Sequence, residues 1–213
     1  MVQHPTELIA IRHVETVWNQ EARLQGHSDS PITSTGRKQI EAIAERLSKE
    51  PFSALYSSDL KRSFETATGV SKRTGHEVHI DPRLRERNFG IFEGYTKAEI
   101  LQKFPQDHAQ FETGNPEYMV PEGESRKQRY DRIIQCANEI IQKHAGERIV
   151  IISHGGVLTD FLRCALDIPF SSHPKFKLLN AAINRFFVQN RIWKLSVWGD
   201  TEHLKNIGTI DHW

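Results

Sequence analysis

RIVIISHGGVLTDFLRCAL, residues 148–166, is the stretch that decides the fold. Ile149, Val150, Ile151 and Ile152 form an unbroken apolar run, the signature of a strand buried on both faces. His154 ends that strand, and Gly155-Gly156 opens a helix directly after it. A buried strand feeding straight into a helix is the repeating unit of a parallel α/β sheet. LIAIRH, residues 8–13, has the same design: an apolar run that closes on Arg12 and His13.

Working outward, residues 33–49 read as a helix capped by Thr33, with Ile40, Ile43, Ala44 and Leu47 at helical spacing. FSALYSS (52–58) reads as a second strand. A helix from about Asp59, with Ser58 as N-cap, stops at Gly75, and EVHI (77–80) is a short third strand. RLRERNFGIFEG (83–94) keeps neither period and reads as a shaped loop, followed by a helix from Thr96 to Lys103. Residues 104–125 carry Pro105, Pro116, Pro121, Gly114 and Gly123, which predicts an irregular excursion with room for a short helix. Residues 125–144 form a long helix with Ile133, Ile134, Ala137, Ile140 and Ile141 inward. NAAINRFFVQNRIWKLSVWG (180–199) gives two antiparallel strands joined at Gln189-Asn190. The alternation predicts one α/β domain over residues 1–213. Its expected form is a three-layer αβα sandwich with a largely parallel central sheet, with 81–125 as a lid-like insertion over the carboxyl ends of the strands.

The 213 residues carry a net charge of +1, with 38% hydrophobic and 26% charged residues. That balance argues against a nucleic-acid partner held by bulk positive charge and against recruitment to an acidic membrane. No apolar run approaches the length of a bilayer span. The opening MVQHPTELIAI has neither a basic region nor a long apolar one, so no secretory leader is expected. Cys136 and Cys164 sit in amphipathic helical stretches and read as reduced core thiols of a cytoplasmic protein. Trp193, Trp198 and Trp213 suit either the core or a contact between two copies, which leaves a homodimer open.

In parallel α/β sheets, ligands bind outside the carboxyl ends of the strands. His13 and His154 are therefore both delivered to that edge. A lone strand-end histidine is more often structural, but a matched pair beside Arg12 and a Gly-Gly helix start favours a site. Glycine lets backbone approach a ligand, and a helix start offers free N–H groups to an anion. Arg12 supplies a planar fork of donors, and Arg62, just beyond the second strand, lies on the same edge. Two arginines with two histidines suit a phosphoryl group better than a metal. No His-x-x-x-His or Cys-x-x-Cys spacing occurs, and His76 and His79 of HEVH would point to opposite faces of a strand. No metal and no cofactor are expected. The missing Gly-x-x-x-x-Gly-Lys-Ser/Thr loop excludes a P-loop ATPase.

These residues resemble the histidine phosphatase (phosphoglycerate mutase-like) superfamily. RHVETVWN (12–19) resembles its Arg-His-Gly-Glu-Thr signature, and RLQGHSDSPITSTG (23–36) the stretch that follows it. YSSDLKRSFETA (56–67), LRERNFGIFEG (84–94), PEGES (121–125), SHGGVL (153–158) and WGDTEHL (198–204) resemble further family elements in order along nearly the whole chain. The resemblance implies His13 as the phosphorylated nucleophile, Glu86 as general acid and base, and His154, Arg12 and Arg62 around the phosphoryl oxygens. It also implies phosphate contacts from Asn19 and the Gly155 backbone, with Gln25 and Gly26 at the substrate mouth. In an extended stretch, Arg85 and Arg87 point away from Glu86. Val14 departs from the family pattern, replacing the glycine after the nucleophile, so either the backbone has an ordinary φ there or the pocket is reshaped.

The expected activity is that of a metal-independent phosphomonoester phosphatase of the histidine acid type, working through a phosphohistidine on small phosphorylated metabolites. The alternatives are a cofactor-dependent phosphoglycerate mutase, a sugar bisphosphatase, and a phosphate-binding regulatory module that Val14 has silenced. A mutase needs extra cations over its site. Residues 104–125 contain no lysine or arginine, but Asp107, Glu112, Glu117, Glu122 and Glu124, interspersed with Phe104, Phe111, Tyr118 and Met119. Lys97 is the exception, lying where mutases also place a lysine.

Overall fold

The computed structural model describes residues 4–172 and 176–210, so Trp213 lies outside the described residues. β1 (Thr6–Arg12) has Leu8, Ile9, Ala10 and Ile11 without exposed surface, because helices cover both faces of its sheet. A capped turn, α1 (Val17–Gln20), leads into α2 (Ser34–Leu47). β2 (Ala54–Ser57), α3 (Lys61–Thr74) and β3 (Val78–Ile80) follow. Single 3₁₀ turns at Pro82–Leu84 and Gly90–Phe92 shape the next loop, before α4 (Lys97–Lys103) and α5 (Pro105–Glu112). The chain then runs through α6 (Arg126–Lys143), β4 (Arg148–Ser153) and α7 (Gly155–Leu166), and ends in the antiparallel pair β5 (Ile183–Gln189) and β6 (Ile192–Asp200).

The six strands lie in the order β3-β2-β4-β1-β5-β6. The first four are mutually parallel, and β5 joins β1 antiparallel. Alternate residues serve opposite faces, as strand geometry requires. Leu8, Ala10, Ile149 and Ile151 pack with Ile133, Ala137 and Phe161 of α6 and α7. Ile9, Ile11, Val150 and Ile152 pack with Ile43, Leu47, Ala67 and Val70 of α2 and α3. This is the expected three-layer α/β architecture.

Three local expectations need correction or completion. Ser58 is not the N-cap of α3. Leu60 occupies that position and the helix starts at Lys61, while the Ser58 hydroxyl turns to His154. The excursion over 104–125 includes a true helix, α5, started by Pro105 at a position where a missing N–H costs nothing. Phe89, Phe92, Ile100 and Val120 form a separate small cluster beneath this segment, with Phe104 and Phe111 packed against it. α1 lies within the RHVETVWN stretch, where Thr16 and Asn19 close a reciprocal capping box around it.

Trp193 is buried and stacks on Phe161, and Trp198 packs edge-on against Phe176. Both cysteines are free thiols, Cys136 in the core and Cys164 half-buried against it. Among the described residues, no helix is long and apolar enough to cross a membrane.

Candidate active site

Strand register builds the site. Arg12 of β1 pairs with Ser153 of β4, so His13 and His154 leave two neighbouring strand ends side by side. The His13 N–H donates to the Ser153 carbonyl at 2.8 Å, and the two rings stand 5.4 Å apart, tilted by 55°. The Asn180 amide donates to the His13 carbonyl (2.9 Å) and to Asn19 Oδ1 (3.3 Å), tying β1, α1 and the β5 approach together.

His13 Nδ1 lies 2.8 Å from the Val14 carbonyl oxygen. That oxygen can only accept, so Nδ1 carries the proton and Nε2 keeps its lone pair. Burial, reinforced by the Arg62 and Arg12 charges, holds the His13 pKa well below the ordinary 6.5. The ring is therefore a neutral imidazole near pH 7. Val14 itself is buried and keeps a negative φ, so the residue that departs from the family pattern imposes no backbone strain.

A cavity of about 510 Å³ opens on this edge, lined by Arg12, His13, Asn19, Gln25, Gly26, Arg62, Glu86 and Gly155. Arg62 is almost wholly buried. Nη1 donates to the Ser28 carbonyl (2.9 Å) and Asp29 Oδ1 (2.7 Å), and Nη2 donates to the Gly26 carbonyl (2.7 Å). Burial lowers its pKa while Asp29 opposes that, and an arginine in this setting remains a cation. Arg12 donates to the Leu178 carbonyl. Asn19 Oδ1 accepts from the Thr16 N–H (3.1 Å) and hydroxyl (3.0 Å), which leaves its amide nitrogen as the end available to a ligand. The Gln25 side-chain oxygen is buried without a partner.

Glu86 faces this group from the loop after β3. Its Oε1 accepts from the Arg87 N–H (2.7 Å) and its Oε2 from the Gly156 N–H (2.8 Å). The flanking arginines do point away: Arg85 pairs with Asp59, and Arg87 lies over the rings of Phe89 and Phe111. Glu93 clamps the loop at the cavity mouth, accepting from the backbone of His27 and Ser28 at 2.8 Å each. Gly26 has φ +56° there, and a Cβ would lie 2.0 Å from Glu93 Oε1, so this position demands glycine.

His154 is the exception among the expected residues. It is fully buried and is not part of the cavity lining. Its Nε2 is 2.7 Å from the Ser58 hydroxyl, and its Nδ1 has no partner. Burial, with Arg62 next, keeps it neutral as well. Four residues that hold the site escaped the sequence reading: Ser58, Asn180, Arg129 and Asp160. Arg129 had a signal, since it is a charge on the otherwise apolar stripe of its helix, and Asp160 a weaker one, a carboxylate within the apolar GGVLTDFL run.

Two histidines, two buried arginines and a facing carboxylate stand at one edge of the three-layer fold, an arrangement whose chemistry suits a phosphoryl group. The chain belongs to the histidine phosphatase superfamily (branch 1), whose pattern it matches over residues 8–201. It is 39% identical over 208 residues to phosphoglycerate mutase-like protein 4 of Arabidopsis thaliana, covering 96% of this chain and 89% of that one. It is 38% identical over 209 residues to the metal-independent phosphoserine phosphatase of the same plant, covering 96% and 86%. The solved structure of YhfR from Bacillus stearothermophilus superposes with a TM-score of 0.86 at 31% identity, covering 94% of this chain and all of that one.

Proposed function

We propose that the protein is a metal-independent phosphomonoester phosphatase that works through a phosphohistidine at His13. The observation that carries this reading is the Nδ1–Val14 bond, which leaves a neutral imidazole with its Nε2 lone pair at a cavity walled by arginines. Nε2 attacks phosphorus, and an Nε2–P bond forms as the bond from phosphorus to the ester oxygen breaks. Arg12, Arg62, the Asn19 amide and the Gly155 N–H stabilise the equatorial oxygens, fixed in place before the reaction begins. Protonated Glu86 gives its proton to the departing alkoxide. The resulting carboxylate then takes a proton from water as the water oxygen bonds to phosphorus and the Nε2–P bond breaks, releasing inorganic phosphate. His154, held by Ser58, supports the transferring group from behind the cavity wall. Residues 81–125 act as a lid, and the whole chain works as one domain.

Hydrolysis is favoured over transfer by the outer cavity. Its two further cations are already answered by carboxylates: Arg23 by Glu21 (2.8 Å) and Glu99 (2.6 Å), Lys97 by Glu112 (3.1 Å). Trp18, Leu24, Phe92, Ile100 and Phe111 make the rest of the wall largely apolar. That lining suits a small, partly apolar phosphomonoester with few charges beyond the phosphate. The presence of Lys97 and Arg23 in the lining keeps a phosphoglycerate mutase as the second reading. The free thiols suit the cytoplasm as its setting.

The test is turnover of p-nitrophenyl phosphate and phosphoserine in EDTA, beside conversion of 3-phosphoglycerate to 2-phosphoglycerate, with alkaline denaturing quench to trap phosphoenzyme. Phosphate release in EDTA with a trapped phosphohistidine is the expected result. Isomerisation without release supports the mutase, and phosphate binding without turnover a regulatory module.

A further inference from the structure

Beyond the residues assigned above, one buried ion cluster reaches the site. Arg129 of α6 donates Nε–H to Asp160 Oδ2 at 2.7 Å and Nη2–H to Asp160 Oδ1 at 2.8 Å. Its remaining arm, Nη1, stands 3.5 Å from Glu86 Oε1, an ion-pair distance beyond a good hydrogen bond. All three side chains are buried, Asp160 completely. Burial opposes the Arg129 cation, but Asp160, Glu86 and Glu124 together outweigh it and hold the group charged. Gly156 packs against the Glu86–Arg129 contact: a Cβ there would lie 2.2 Å from Glu86 Oε1 and 2.4 Å from Arg129 Nη1.

We propose that Asp160 is a positioning residue that restrains Arg129, so that the Arg129 fork does not close on Glu86 as a bidentate pair. The inference rests on Glu86 being the proton donor. A guanidinium fork free to turn would form two parallel charge-assisted bonds with the Glu86 carboxylate. Both carboxylate oxygens would then face fixed positive donors, and neither could carry the proton needed by the leaving group. Asp160 accepts the fork instead. The backbone N–H groups of Arg87 and Gly156 set the plane of the Glu86 carboxylate, and a single arm of Arg129 backs one oxygen. Asp160 follows Gly156 by one helical turn, so α7 supplies both the glycine that admits the contact and the carboxylate that limits it.

The experiment compares turnover of p-nitrophenyl phosphate, whose leaving group needs little protonation, with an alkyl phosphomonoester that the wild type hydrolyses. Glu86→Gln sets the reference split between the two. Asp160→Asn is expected to lower alkyl kcat by about 10²-fold and aryl kcat by less than about 5-fold, as loss of a general acid does. Asp160→Asn leaves a buried arginine unpaired and can fail to fold, whereas Arg129→Met/Asp160→Leu removes both charges together. That double variant is expected to stay within about 10-fold of wild type on the alkyl ester, because the fork that needed restraint is gone. Equal losses on both substrates in Asp160→Asn, or a double variant that shows the full Glu86→Gln split, overturns the proposal. If Glu86→Gln itself shows no split, the Glu86 assignment has failed, and the proposal falls with it.

Discussion

The ends of β1 and β4 are built alike and finish differently. Each is a buried strand that delivers a histidine to the same edge, one register step beyond the Arg12–Ser153 pair. His13 is followed by Val14, whose carbonyl takes the Nδ1 proton and leaves Nε2 at the cavity. His154 is followed by Gly155 and the start of α7, and its Nε2 goes to Ser58 behind the cavity wall. The strand end decides where a histidine stands. The bond made by one ring nitrogen decides which atom is left for chemistry.

The sharpest way to break this comparison is to remove each ring. His13→Ala is expected to lose at least about 10³-fold in kcat and all phosphoenzyme, because no other group supplies the attacking atom. His154→Ala should lose up to about 10²-fold, the upper end for a group that supports the site from behind the cavity wall, while phosphoenzyme still forms. If alkaline quench traps equal phosphoenzyme from His13→Ala, the two roles have been assigned to the wrong rings. Ser58→Ala tests the support of His154 alone and should cost about 10-fold in kcat with little change in KM, as loss of a partner that orients a catalytic group does. A KM effect without a kcat effect would place Ser58 in substrate binding instead.

Much of this comparison was legible in the residues. Apolar runs ending in histidine gave both strands, and Thr33, Gly75 and the Ile133–Ile141 stripe gave helices that the structure contains. His13, Arg12, Arg62, Glu86 and Gly155 do converge on one cavity. What stayed hidden depends on contacts between distant segments. Ser58 reads as a helix cap because a cap is a local pattern, while its bond to His154 spans 96 positions. Asn180 sits in an unremarkable NAAIN stretch, and nothing local shows that its amide reaches His13 across the sheet. α1 was missed because a four-residue helix has no period to detect, although the Thr16–Asn19 box was there to be read. The depth of His154 is likewise a property of packing, not of sequence.

A smaller effect follows from what the two rings share. Both are held neutral by burial, with pKa values well below 6.5. As pH falls through 6.5, the unfolded chain takes up protons on these residues while the folded protein does not. Stability contributed by the neutral rings is thus complete above pH 6.5 and is lost as pH falls from there toward the folded values. His203, also lowered by burial, acts in the same direction. Replacing His154 by Asn should remove up to one proton from this linkage, a slope of about 1.4 kcal/mol per pH unit. Tm measured at pH 7.5, 6.5 and 5.5 checks it: the variant's Tm should fall less on acidification than the wild type's. Parallel curves would mean that His154 takes up its proton in the folded protein at the same pH as in the unfolded chain.

The smallest expected effect on turnover comes from the residue that breaks the family pattern. Val14 keeps a negative φ and buries its side chain in the apolar cluster between the sheet and α2 and α3, while its carbonyl holds the His13 proton. Val14→Gly preserves the carbonyl and permits the same backbone. It removes a buried isopropyl group and adds unfolded-chain entropy, a loss of about 2–3 kcal/mol. For a chain of this size, that corresponds to a fall in Tm of about 5–10 °C. Since the proton on Nδ1 is still accepted, kcat should change by less than about 3-fold, well under 1 kcal/mol of barrier. A large loss of kcat with an intact Tm would show that the valine side chain, and not only its carbonyl, holds the His13 ring. A stable, fully active glycine variant would show that burial at position 14 contributes little. Either result separates the two features of the β1 end that the β4 end lacks: a bulky successor to the histidine, and a carbonyl that fixes its tautomer.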